Sequence, residues 1–128
     1  MRVLWLGLAA LLLVAILALP VLSSFALHQA FVHADKPWAP RTAFTAARLK
    51  MRLQQYPEAR TAFERALIQF PAYPAIDDVH FWIALCYEKE NNYAAAQQWY
   101  RLFLTRWPDH AWAAQAKRRL ANVEAAGL

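Results

Sequence analysis

ARLKMRLQQYPEARTAFERALIQFP, residues 47–71, is answered by ALCYEKENNYAAAQQWYRLFLTRWP, residues 84–108. Ala47, Tyr56, Ala59, Phe63 and Pro71 return as Ala84, Tyr93, Ala96, Tyr100 and Pro108, each displaced by 37 residues. A fixed period of this length marks stacked helical hairpins, units that bury their apolar faces only against one another. The residue types fit that reading. Ala47 and Ala84 let the two helices of a hairpin approach closely, and Ala59 and Ala96 do so from the opposite helix. Tyr56 and Tyr93 follow the turn and pack across it, with the hydroxyl able to reach water. Phe63 and Tyr100 fill the space between hairpins, and Pro71 and Pro108 stop the second helix of each pair.

Gly7 and Gly127 are the only glycines in 128 residues, so the interval between them has none. A β-rich domain needs glycine in its turns and bulges, whereas alanine-rich helices punctuated by proline do not. Five soluble helices follow from the pattern: Arg41 to Leu53, Pro57 to Gln69, Asp77 to Glu90, Tyr93 to Arg106, and Pro108 to Glu124. Short turns between them leave antiparallel neighbours as the packing. The fifth helix carries the period on through Leu120-Ala121 and reads as a cap.

Ahead of this array, VLWLGLAALLLVAILALPVL spans Val3 to Leu22 without a charge. As a helix it is ~30 Å long, the thickness of a bilayer's hydrocarbon core. Two readings fit. A secretory signal would use Arg2 as its basic start, Pro20 as the break and Ser24-Phe25-Ala26 as the cleavage site. A retained anchor is favoured by the apolar run up to Leu19, which exceeds the ~7–15 residues usual for a signal. A lipoprotein leader would need a cysteine directly after the apolar segment, and the sole cysteine is Cys86. Arg2 and the terminal amine favour a cytoplasmic N-terminus, although Lys36 and Arg41 lie just beyond the other end. The expected division is a membrane anchor or uncleaved signal at 1–27, a linker at 28–40 and the helical array at 41–125. Ser23-Ser24 is expected to loosen the helix end, and Asp35 to Pro40 to be extended because each proline disfavours helix in its predecessor.

The net charge is +5, and alternating signs along the helices describe a solvated, mildly basic surface rather than a nucleic-acid stripe. Catalysis finds no machinery. Ser23 and Ser24, the only serines, sit at the membrane end. Cys86 lies between apolar neighbours and reads as a buried, inert thiol. His28, His33, His80 and His110 lack metal-ligand spacing, so no metal is expected. Asp77-Asp78 read as the cap and dipole partners of a helix start. Without internal glycine there is no phosphate-cradling loop, and no cofactor or small-molecule substrate is expected.

The residues now resemble the tetratricopeptide repeat family. Ile83-Ala84, Tyr87, Tyr93, Ala96, Tyr100 and Pro108 stand where that family has its signature. Tyr56, Ala59, Phe63, Ala66 and Pro71 match in the first unit, where Lys50 replaces the usual aromatic. The three residues beyond the family's usual period and the form FLxxWPDHxxAxxA are similar to a periplasmic branch, that of outer-membrane assembly lipoprotein D and the Tol-Pal coordinator. The resemblance covers about residues 41–125. It implies an all-α fold, a short solenoid of two hairpins and a capping helix, which the apolar segment is expected to precede as one transmembrane helix. It also implies protein binding in a concave groove lined by the first helix of each pair.

Carried over by position, that face takes Arg41, Phe44, Arg48, Met51 and Arg52 from the first unit. Asp78, Phe81, Leu85, Glu88 and Lys89 come from the second, and the cap adds Gln115, Arg118 and Asn122. Arg41, Arg48 and Arg52 form a basic rim beside Phe44 and Met51, both expected to be exposed. An acidic or carboxylate-terminated ligand flanked by an apolar residue fits this rim, as does a solvated face near anionic headgroups. Arg48 stands where chaperone-binding relatives carry an asparagine, which points away from that ligand class. Trp82, Trp99, Trp107 and Trp112 exceed what short helices readily bury, so Trp99 or Trp112 is expected at the surface as a contact. The functional expectation is a scaffold, accessory or assembly subunit of a membrane protein complex, single-pass in a bacterial inner membrane with its helices in the periplasm. A soluble periplasmic binding protein freed by cleavage and a self-associating structural protein are the alternatives.

Overall fold

Helices that begin at Ala39, Ile76 and Ala113 carry the 37-residue step through three successive units. The computed structural model describes residues 1–128 and contains six helices and no strand. They are α1 (Arg2–Val32), α2 (Ala39–Arg52), α3 (Tyr56–Gln69), α4 (Ile76–Lys89), α5 (Tyr93–Arg106) and α6 (Ala113–Ala126). α2 to α6 are each 14 residues long, and α3 and α5 also start 37 residues apart. Each helix packs chiefly on its neighbours in sequence, as in a solenoid.

Alanine sets the spacing. Ala43, Ala47, Ala59, Ala66, Ala84 and Ala96 are wholly buried, so facing helices meet nearly backbone to backbone. The larger voids are filled by Phe44, Phe63 and Ile83 in one cluster and by Phe81, Tyr100, Phe103 and Val123 in another. α4 supplies both clusters, with Ile83 and Cys86 facing the first and Phe81 and Ala84 the second. Burial of each large side chain contributes roughly 1.5–3 kcal/mol.

The turns inside the hairpins are closed without glycine. Gln54 (φ 61°) and Asn91 (φ 60°) occupy equivalent positions in the left-handed region. The amides of Gln55 and Asn92 then reach back to the carbonyls of Lys50 and Tyr87 at 3.0 and 2.9 Å. This is the Schellman closure that glycine usually provides. The two turns differ at the next residue. The Asn92 side chain caps α5 by accepting from the Ala95 amide at 3.3 Å, whereas Gln55 makes no cap and its Oε1 is buried without a partner.

α1 departs from the expected anchor-and-linker division. It does not loosen at the serines but runs on as helix to Val32, leaving only His33 to Trp38 as connection to α2. Ser23 and Ser24 donate their hydroxyls back to the Pro20 carbonyl at 2.8 and 3.0 Å, so they satisfy the helix rather than fray it. The same device recurs one period later, where Thr61 Oγ1 donates to the Pro57 carbonyl at 2.9 Å. Ser23, Leu27 and Ala30 are buried against the array. The stretch from Leu19 to Val32 stands one period ahead of α3 (Tyr56–Gln69), so it serves as the second helix of a preceding hairpin whose first helix is absent. The rest of α1 packs against nothing: Val3, Trp5, Leu12 and Leu17 are all largely exposed. α1 is the one helix long and apolar enough to cross a membrane or to act as a signal sequence.

α6 begins at Ala113, not at Pro108. Trp107 to Trp112 form a loop equivalent to Phe70 to Ala75, because the additional residues of the period are spent on folding this connection back over the helix ends.

Candidate protein-binding face

α2, α4 and α6 come together side by side through three contacts. The Arg48 guanidinium lies 4.8 Å from the centroid of the Trp82 ring and bridges α2 to α4. Trp82 meets Trp112 at 6.1 Å, and Arg119 donates to Glu88 at 3.1 Å, which bridges α4 to α6. A continuous surface results from the first helix of each unit.

Phe44 and Phe81 do not belong to that surface. Phe44 is 2% exposed and stacked on Tyr73 at 4.1 Å, and Phe81 is 4% exposed among Tyr100, Phe103 and Trp112. The inter-hairpin loops supply the covering rings, Tyr73 in one unit and Trp112 in the next. The tryptophan surplus is absorbed in the same way. Trp82, Trp99, Trp107 and Trp112 are all half-buried in an aromatic cluster that includes His80 and His110, so neither Trp99 nor Trp112 stands out as an exposed contact.

Arg41, Arg48, Arg52, Lys89, Arg118 and Asn122 are exposed, and Met51, Leu85 and Gln115 are half-exposed. Glu88, Lys89 and Asn122 line one depression of about 300 Å³, with Tyr93 and Val123 beside them. The two acids are engaged within the chain. Asp78 faces His110 Nε2 at 2.8 Å, and Glu88 accepts from the Tyr100 hydroxyl at 2.6 Å as well as from Arg119. By contrast, Arg41, Arg48, Arg52, Lys89 and Arg118 take part in no salt bridge. The charge this face offers to a partner is positive.

Polar links tie one hairpin to the next. Tyr87 donates to Glu64 at 2.6 Å, and Arg60 holds Glu90 with two nitrogens at 2.7 and 3.1 Å while stacking over Tyr87. Burial and then the bond to Glu64 push the Tyr87 phenol up. Burial followed by the bond to Glu88 does the same to Tyr100. The hydrogen bond to Glu90 raises Arg60, so the guanidinium stays charged at any physiological pH. Burial pushes the Cys86 thiol up to about 12, which leaves it protonated and unreactive.

One cluster was not legible from spacing. Asp77 Oδ2 and Asp78 Oδ1 lie 3.4 and 2.8 Å from His110 Nε2 across 32 residues of chain. Two carboxylates and an imidazole can begin a metal site. Here His110 Nδ1 accepts from the Trp112 amide at 2.9 Å, which leaves the proton on Nε2 to be donated to Asp78. The group works as a staple that holds the α5–α6 loop on the start of α4. The period is the signal that could have found it, since His110 occupies the place of Tyr73, the ring that covers Phe44.

Comparison with protein-family models gives a match to the tetratricopeptide repeat over residues 44–111, more than half of the chain. No curated protein matches the chain.

Proposed function

Because the chain belongs to the tetratricopeptide repeat family, we propose that it is a membrane-anchored protein-binding module, an accessory or assembly subunit of a membrane protein complex. The family's fold binds other proteins, and the unpaired cations along α2, α4 and α6 suit an acidic segment of the partner. Arg48 on Trp82, with half-exposed Leu85 close by, provides a flat apolar contact next to that charge. The form FLxxWPDHxxAxxA resembles that of a periplasmic branch, lipoprotein D and the Tol-Pal coordinator, and on that resemblance we place the helices in the periplasm. Arg2 and the terminal amine at the far end of the span favour the same side for these helices.

The observation that carries retention of the anchor is the continuity of α1. Cleavage after Ala26 would cut mid-helix, remove buried Ser23 and half-buried Ala26, and leave Leu27 and Ala30 of the first cluster on a remnant of α1 less than two turns long. The released-protein reading therefore requires the array to lose part of its own packing. A photo-crosslinker placed at Arg48 or at Arg118 in native membranes tests the binding face. A specific partner from a membrane complex is expected at both sites. Recovery of none from either, with the protein shown to be folded, would sink the reading.

A further inference from the structure

Lys50 is 6% exposed, yet its Nζ reaches only a neutral group, the Ser24 hydroxyl at 2.7 Å. An ammonium has three donors and a full charge, and burying it without an anion is costly. The neighbouring units treat the same position differently. One period on stands Tyr87, matched by Glu64, and one further stands Glu124, matched by Arg101 at 2.7 Å. Where α3 presents Glu64 and α5 presents Arg101, α1 presents Leu27. The α3–α4 and α5–α6 contacts thus complete their own polar links, and the α1–α2 contact is left with an uncompensated cation.

Lys50 forms part of the wall of a cleft of about 490 Å³ between α1 and α3, together with Ser24, His28, Thr61 and Arg65. Arg65 rests 3.9 Å from the centroid of the Phe31 ring. Glu58 is the only acid on this wall, and it is exposed. Two cations and an imidazole around one space describe a receptor for anionic oxygen, the hydroxyl protons of Ser24 and Thr61 being held by the Pro20 and Pro57 carbonyls.

Its position identifies the source. The part of α1 free of the array, Arg2 to Ala18, is ~25 Å long, short of a ~30 Å hydrocarbon core. The boundary of a bilayer then falls within Leu19 to Leu22, and Ser24 with its bound Lys50 lies ~3 Å beyond it, at headgroup depth. Val21 and Leu17, three and seven residues before Ser24, continue the same helix face and are 70% and 66% exposed. We propose that the cleft binds the phosphate of an anionic phospholipid, with Lys50 and Arg65 on the headgroup and an acyl chain lying along Val21 and Leu17. The proposal rests on the anchored reading above.

The test uses the full chain in mixed micelles of phosphatidylcholine and phosphatidylglycerol, with bound lipid counted by native mass spectrometry. The wild type is expected to retain phosphatidylglycerol in preference to phosphatidylcholine. Lys50→Tyr restores the residue type of the second unit, and it is expected to weaken this retention about tenfold, as loss of one charged hydrogen bond implies. Arg65→Gln, at an exposed residue, is expected to act in the same direction without disturbing the core, which guards against a folding defect at position 50. Equal retention by all three proteins overturns the proposal, as does displacement of the lipid by inorganic phosphate alone, which would make this a free-phosphate site. An intact mass that begins after Ala26 removes Ser24 and overturns the anchored reading as well. With the full chain intact, absence of any lipid preference counts against the cleft alone.

Discussion

The hairpins α2–α3 and α4–α5 share one template, yet the second is the better finished. Asn91 takes the left-handed turn position that Gln54 takes in the first, and asparagine tolerates it with less strain. Asn92 caps its helix, while Gln55 buries an unpartnered oxygen. Tyr87 ends on a carboxylate, whereas Lys50 ends on a hydroxyl. Identical backbone geometry is therefore reached with different degrees of polar satisfaction, and the deficits collect in the hairpin next to α1. The period specifies shape, and the local side chains specify how firmly each unit holds it.

The strongest way to break the comparison is to overfill both hairpins at the shared alanine. Ala59→Leu and Ala96→Leu should each cost roughly 1–3 kcal/mol in denaturant unfolding, since neither site has room for the added volume. A neutral result for both would mean that the alanines do not set the interhelical distance. Converting the weaker hairpin toward the stronger should have a smaller effect of the opposite sign. Gln55→Asn supplies the cap that Asn92 already makes and should stabilise by about 1 kcal/mol, with Asn92→Ala losing a similar amount. An unchanged melting temperature in both variants would rule out capping as a source of the difference.

The gentlest probe is pH, because one of the core differences between the hairpins is a histidine. His80 lies where the first unit has Ala43, with Nδ1 2.8 Å from the Ile76 carbonyl and its ring between Trp99 and Trp107. Burial holds the ring below its ordinary 6.5, with the nearby Arg106 adding to the effect. Between that lowered value and 6.5 the unfolded chain takes up a proton that the folded chain refuses. Stability should therefore fall as pH drops through and below 6.5. His80→Phe should flatten this slope relative to the wild type, and parallel pH profiles for the two proteins would refute the assignment.

Helix count, order and period were readable from the chain because alanine, tyrosine and proline recur where packing and termination demand them. The second role of α1 was masked by its own composition. Residues apolar enough to meet lipid also satisfy a protein core, so hydropathy alone does not divide Leu19 to Val32 from the exposed apolar segment before it. Only the echo of Pro20 and Ser24 in Pro57 and Thr61 betrays the extra half-unit. On the candidate face, the exposed arginines and Lys89 could be located by helical spacing. Phe44 and Phe81 could not, because the rings that cover them come from loops about 30 residues downstream. The turn glutamine was equally hidden, since the left-handed position is usually announced by glycine.

The continuity of α1 from its free apolar half into the array has a mechanical consequence. In the anchored reading proposed above, α1 would act as a lever: tilt of the span would reach the proposed binding face through helix alone, with the turn at Pro20, which lacks an N–H for the helix ladder, as its one softened point. A partner would then meet Arg48 and Arg118 at a set height and bearing above the bilayer, and a partner that moved the array would in turn move the segment within the lipid.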